Sequence, residues 1–238
     1  MALAPAVQAL NDNTLLITFG DTPSEQLAAI VGRSWRFLKQ HLAKQLINAV
    51  PASTTLLLEF KGKPPSTEKV ESLLSNALMD SEHPVYTPKQ HIIPVLYDPD
   101  VAPDLNAIMK QSNLNLDQLI ELHTNKIYRV FALGFMPGFA FLGEVDKRIA
   151  FPRMATPRVE VAAGSVGIAE NITGIYPRTS PGGWHIIGRC PLELSPDFLS
   201  ENPTEKPPSF SVGDEVQFTA IQKREFESLL AKNKSPLK

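Results

Sequence analysis

Apolar positions in the first part of the chain switch between the period of a strand and that of a helix. Thr14 to Phe19 is an apolar, β-branched run that predicts a strand. Thr22-Pro23-Ser24-Glu25 then supplies an N-cap, a proline at the first helical position and a glutamate at the third. Leu27, Ile30, Val31, Trp35, Leu38, Leu42 and Leu46 follow at spacings of three and four, which puts one apolar stripe on a helix of about five or six turns. Pro51 marks its expected end. Thr54 to Phe60 predicts a second strand, Lys61 to Pro65 a turn, and Ser66 the cap of a helix carrying Val70, Leu73, Leu74, Ala77 and Leu78. This alternation predicts an α+β fold over residues 1–87, a sandwich of the ferredoxin-like kind with helices on one face of a sheet.

His83 to Pro88 has the composition of a linker. Beyond it His91 to Tyr97 predicts a strand, and short helices are expected near Asp104–Lys110 and Leu116–Leu122. From Lys126 onward short apolar runs alternate with Gly and Pro turns, the pattern of a barrel-like or sandwich-like β domain, which sets a second lobe at residues 88–222. The tail, 223–238, carries Phe226, Leu229 and Leu230 at helical spacing before a polar end.

Composition narrows the classes open to such a chain. The 238 residues are 43% hydrophobic, enough for a sizeable core. A formal charge of −2 with dispersed Lys and Arg leaves no basic face to hold a phosphate backbone, so nucleic acid is not an expected partner. Cys190 is the one cysteine, which excludes an internal disulfide, and no cluster of ligands suggests a metal. The first residues lack the charged and apolar regions of a secretory signal, and no apolar run approaches the ~20 residues of a membrane span, so a cytoplasmic protein is expected. In that compartment the sequon Asn171-Ile172-Thr173 is a chance match.

Familiar catalytic motifs are missing. The sequence has no Walker A string, no Gly-x-Gly-x-x-Gly and no His-Glu-x-x-His. Ala163 to Gly167 misses the nucleophile-elbow pattern because Ala163 replaces its first glycine, and no aspartate lies between Ser165 and His185. Ser66-Thr67-Glu68-Lys69 matches Ser-x-x-Lys but reads better as a helix cap. His123 falls on the apolar stripe with Leu116, Leu119 and Ile120, where a core histidine competes with a proton-transferring one. Cys190 follows Arg189, which would have to lower the thiol pKa to make it reactive; packing is the simpler role.

The densest run of special residues is Leu133-Gly134-Phe135-Met136-Pro137-Gly138-Phe139-Ala140-Phe141-Leu142-Gly143. Glycines interleaved with aromatics imply an apolar surface beside backbone that a ligand or second chain can approach closely. Pro152-Arg153, Thr156-Pro157-Arg158, Ala163-Gly164-Ser165-Val166, Thr173-Gly174-Ile175-Tyr176-Pro177 and Ser180-Pro181-Gly182-Gly183-Trp184 follow. With Ile93-Pro94-Val95, Asp104-Leu105, Leu122-His123-Thr124 and Val212-Gly213-Asp214, these motifs make the chain resemble the B-type subunits of prokaryotic 5-oxoprolinase, the KipI-type or allophanate hydrolase subunit 1-like family. Phe141, Cys190 and Glu170-Asn171-Ile172 depart from its usual tyrosine, threonine and Gly-x-Gln, and Ile172 in place of an amide would remove a donor and an acceptor from a ligand.

The resemblance implies a cyclophilin-like β-barrel in the second lobe, and work in complex with the C-type and A-type partner proteins of a 5-oxoprolinase. The implied reaction opens 5-oxo-L-proline to L-glutamate while ATP is hydrolysed, with ATP as a co-substrate that a partner could bind. It also implies two alternatives, an inhibitor of a sensor histidine kinase and half of a biotin-dependent carboxyltransferase. Within the matching motifs, Arg158 and His123 are the candidate catalytic residues, and Arg153, Arg189, Tyr176 and Ser180 the candidate substrate or phosphate ligands. Phe135, Pro137, Gly138, Phe139, Gly182, Gly183 and Trp184 form the expected partner or ligand surface.

Overall fold

The computed structural model describes residues 5–79, 87–194 and 210–234, which divide into two compact units, 1–88 and 89–238. Most of the expected linker, residues 83–86, lies outside the described residues.

In the first unit β1 (Ala6–Asn11), β2 (Thr14–Thr18), β3 (Leu46–Pro51) and β4 (Thr55–Phe60) form an antiparallel sheet in the order β1-β2-β4-β3. Leu15, Ile17, Leu56, Leu58 and Phe60 alternate along β2 and β4 and so share one face. That face packs against Leu27, Val31 and Leu38 of α1 (Glu25–His41) and Val70, Leu74 and Ala77 of α2 (Thr67–Met79). Each of the larger side chains contributes about 1.5–3 kcal/mol relative to leaving it exposed.

Three local readings change. Ser24, not Thr22, caps α1: its Oγ accepts the N–H of Leu27 at 3.2 Å. The helix closes at His41, and Leu46–Pro51 is an edge strand where Pro51 is tolerated. The apolar stripe runs on past the helix in the sequence because Leu46 of the strand and Leu42, the C-cap of the helix, pack on the same core. The described elements therefore run β-β-α-β-β-α instead of the ferredoxin-like β-α-β-β-α-β.

Ser34 sits fully buried in α1 with no hydrogen-bond partner for its Oγ. Ser34→Ala is expected to raise stability by about 1 kcal/mol, because alanine is the better helix former and leaves no buried donor unpaired. An upward shift of the urea midpoint checks this; an unchanged midpoint means that the hydroxyl finds a partner in solution.

The second unit is built on a seven-stranded sheet. Its strands are β5 (Gln90–Val95), β6 (Ile127–Leu133), β7 (Ala140–Gly143), β9 (Ser165–Ala169), β10 (Ile172–Ile175), β12 (His185–Arg189) and β13 (Glu215–Ala220). A short β8 (Arg158–Val161) pairs separately with β11 (Ser180–Gly182). The order β12-β9-β10-β7-β6-β13-β5 nearly closes on itself, since Leu96, just after β5, exchanges two backbone hydrogen bonds of 2.9 Å with Arg189 at the end of β12. The result is a nearly closed barrel. All the pairings are antiparallel except β13 with β5.

Helices α3 (Leu105–Ser112) and α4 (Leu116–Thr124) fall where the periodicity put them. A reciprocal box of Asn115 and Gln118 caps α4. The tail that follows β13 forms α5 (Lys223–Lys234), with Phe226 buried. Valine, isoleucine and aromatic side chains from nearly every strand fill the barrel.

Candidate functional site

The loop between β6 and β7 makes a tight turn in which the Met136 N–H bonds the Gly134 carbonyl and the Phe139 N–H bonds the Met136 carbonyl. Gly138 is required there: its φ is +88°, and an added Cβ would lie 2.3 Å from the Leu194 carbonyl oxygen. Phe135 also has positive φ, +67°, a conformation a bulky residue rarely holds without support, and its ring is 61% exposed. It stands edge-on to Phe139 and Tyr176, with centroids 5.3 and 6.2 Å away.

Phe139 is the hub of an aromatic cluster, with Trp184 at 5.4 Å, Tyr176 at 5.5 Å and Phe141 at 4.9 Å. These rings line an open cavity of about 230 Å³ together with Pro157, Pro181, Gly182, Gly183 and Arg153. Gly182 allows β11 to press onto Tyr176, where a Cβ would come within 2.4 Å of the phenol oxygen. Burial pushes the Tyr176 hydroxyl pKa up, against a backbone hydrogen bond at Trp184 and the positive charges of Arg153 and Arg158.

The three candidate arginines have different surroundings. Arg158 is occupied: its Nη2 donates to the Asp104 carboxylate and its Nη1 to the Met154 sulfur and the Trp184 carbonyl. Asp104 in turn accepts the Ile186 N–H at 2.7 Å, so the pair holds the Trp184–Ile186 segment at both ends. Arg158 thus positions a pocket wall, and it is not among the residues lining the cavity. Arg189 donates to the Ala163 carbonyl and is also outside the lining. Only Arg153 reaches the cavity, and among the described residues it makes no hydrogen bond or ion pair.

The remaining candidate residues do not all lie at the cavity. His123 is fully buried in the barrel and is not a lining residue. Its Nδ1 lies 2.7 Å from the Tyr97 hydroxyl and its Nε2 3.0 Å from Thr173 Oγ1, which itself donates to the Gly167 carbonyl. Thr173 must therefore accept, which assigns the proton to Nε2 and makes Tyr97 the donor to Nδ1. Burial holds the imidazole pKa down at about 3, and Phe218 stacks on the ring at 4.4 Å. This is the geometry of a core histidine; a catalytic role has no access to it. Ser180 bonds the Pro181 carbonyl, and Pro137 and Gly138 belong to the loop behind Phe135 without lining the cavity. Trp184 and Phe139 are buried walls, so truncating either one costs folding before it costs a partner.

Two departures from the family pattern prove to be structural. Ile172 packs at the edge of the barrel core, away from the cavity lining. Cys190 is buried, with its thiol pKa pushed up to about 12 by desolvation, so Arg189 does not activate it. Phe141, by contrast, does line the cavity. Asp104 stands in one of the matching motifs with no role that the sequence assigns: an aspartate just before a helix signals an N-cap, yet this one makes no capping bond and turns to Arg158 instead. A second, polar depression beside α4 is lined by Gln118, Glu121, Lys126, Asp146 and Arg148, and Arg148 is committed there to Asp146.

Residues 5–204 match the family described as carboxyltransferase domain, subdomain C and D. The 5-oxoprolinase B subunit of Bacillus subtilis (strain 168) is 33% identical over 240 residues, covering 96% of this chain and 98% of that protein. This chain belongs to the 5-oxoprolinase B-subunit family.

Family membership extends to the three-dimensional fold. The crystal structure of TTHA0988 superposes with a TM-score of 0.72 at 31% identity, over 88% of this chain and 40% of the other, so the chain spans less than half of that protein. The urea carboxylase of Kluyveromyces lactis, at 16% identity and a TM-score of 0.69, covers 96% of this chain with 23% of its own and shares the fold. No helix among the described residues is long and apolar enough to cross a membrane.

Proposed function

We propose that the chain is the B-type component of a cytoplasmic, ATP-dependent 5-oxoprolinase that converts 5-oxo-L-proline to L-glutamate in complex with A-type and C-type partner proteins. The observation that carries this reading is the match to a 5-oxoprolinase B subunit over nearly the whole length of both chains, joined to a small preformed pocket built from the motifs that carry the family resemblance. At about 230 Å³ the cavity falls below the ~300–1,000 Å³ of sites for drug-sized ligands, and so suits a compact metabolite. The reading of the barrel as cyclophilin-like rests on the same resemblance.

A lactam is a stable amide, and its carbonyl needs activation. Transfer of the ATP γ-phosphoryl group to the lactam oxygen, with ADP leaving, makes the ring carbon electrophilic. Water adds there, the ring C–N bond breaks, nitrogen takes a proton and departs as the glutamate amine, and hydrolysis releases phosphate. A triphosphate with its metal calls for several cations and metal-binding groups. The described lining of the pocket offers one guanidinium, and in this proposal ATP is a co-substrate that a partner protein binds. This chain would hold and orient the lactam.

The test is release of glutamate and ADP from 5-oxoproline and ATP by this chain alone and by its mixture with the two partners. Turnover is expected only in the mixture. A demonstrably assembled complex with no turnover overturns the reading and favours the kinase inhibitor, for which the exposed Phe135 ring would be the contact.

A further inference from the structure

Resting on the reading of this pocket as a substrate site, we infer that Arg153 is its specificity-determining residue. It reads the carboxylate of a small acid whose compact ring lies among Phe139, Phe141 and Trp184. Three observations converge on this. Of the three candidate arginines, Arg158 and Arg189 are spent on Asp104 and on backbone carbonyls, whereas Arg153 faces the cavity with no hydrogen bond or ion pair among the described residues. The walls are otherwise aromatic rings, proline and glycine backbone, which recognise an apolar body by contact and leave Arg153, among the described residues, as the only lining group with a full charge. The walls are also fixed before any ligand arrives, because the Asp104–Arg158 pair ties down the Trp184 segment and Gly182 seats β11 on Tyr176.

The chemistry of the class follows from these groups. A guanidinium presents paired N–H donors that match the two oxygens of a carboxylate, and the exposed Arg153 offers them at the rim of the aromatic walls. A neutral ring of the same size would fill the walls and leave the guanidinium without its anion. A nucleotide would overfill the cavity. The ligand class is a small monocarboxylate on a compact ring, and discrimination lies in its charge.

The probes are 5-oxo-L-proline and its uncharged amide, 5-oxo-L-prolinamide, which share the ring and differ in the group Arg153 reads. Trp184 lines the cavity and Trp35 lies in α1 of the other unit, so the full chain carrying Trp35→Phe reports binding through Trp184 emission. The acid is expected to give a saturable change and to bind about tenfold or more tightly than the amide. Arg153→Gln is expected to reduce the acid to the affinity of the amide while leaving the amide unchanged, and Arg153→Lys to restore part of the preference. A purely structural arginine would weaken acid and amide together.

Equal binding of acid and amide, indifference of the acid to Arg153→Gln, or no saturable signal in either the free chain or the assembled complex overturns the inference. The reading as a 5-oxoprolinase component fails separately. Charge-selective binding without turnover in the complex removes the reaction and keeps the site; turnover with a KM for 5-oxoproline unmoved by Arg153→Gln keeps the reaction and removes the site.

Discussion

Replacing Asp104 with alanine is expected to lower the unfolding free energy by about 3 kcal/mol, among the largest effects of any single polar substitution in the second unit. The carboxylate side chain is 11% exposed and serves two donors, the Arg158 guanidinium and the N–H of buried Ile186. Alanine leaves a partly buried positive charge and a buried amide without their acceptor. Asp104→Asn keeps an acceptor for one donor and is expected to lose about half as much. Urea unfolding of the three proteins measures the series. A loss below about 1 kcal/mol for the alanine variant would mean that the pair behaves like an ordinary surface ion pair. Because the same contacts hold the Trp184–Ile186 segment, Trp184 emission should shift in the folded variant as well.

The second large effect depends on pH. His123 has a folded pKa of about 3 against an ordinary value of 6.5, with burial as the cause. The unfolded chain therefore takes up a proton that the native barrel refuses. The stability tied to this group is fully present above pH 6.5 and is lost as pH falls toward 3, by up to about 1.4 kcal/mol per pH unit. By pH 4.5 the loss attributable to His123 approaches about 3 kcal/mol. His123→Gln does not titrate and can still engage Tyr97 and Thr173. It is expected to be about 1–2 kcal/mol less stable than the parent at pH 7.5 and to show a flatter decline below pH 6.5, so the gap between the two narrows or reverses. Urea midpoints at intervals from pH 7.5 to 4.5 decide it; parallel curves would assign the acid sensitivity to other groups.

The periodic elements were the legible ones. Stripes such as Val70, Leu74 and Ala77 on α2, or Leu116, Leu119 and Ile120 near α4, record burial on one face of a helix, and burial is what the structure shows. Edge strands were not legible. β1 and β3 are exposed along much of their length, and a strand with neither a buried run nor a clean alternation leaves no periodic trace. For that reason the sequence predicts strand-helix-strand-helix where the first unit has β-β-α-β-β-α.

In the site, composition found the wall and missed the roles. Glycines alternating with aromatics marked the loop around Phe135 and the segment ending at Trp184, since close backbone approach leaves few other residues possible. Which arginine faces the cavity depends on whether a distant carboxylate claims it. Asp104 and Arg158 are 54 positions apart, and no local pattern links them. For the same reason the motif around His123 could not reveal that Tyr97 and Thr173 saturate both ring nitrogens.

The parallel pairing of β13 with β5 has a consequence for synthesis on the ribosome. β13 is inserted between β5 and β6, matching Glu215 to Gln90 at one end and Ala220 to Val95 at the other. The sheet of the first unit is complete once residue 60 has emerged. The barrel has to wait until residue 220 is translated. Over that interval the emerging chain carries two open strand edges, those of β5 and β6, awaiting one latecomer. A nascent chain stalled before β13 should therefore be a good chaperone substrate and aggregation-prone, whereas one stalled beyond it should resist protease.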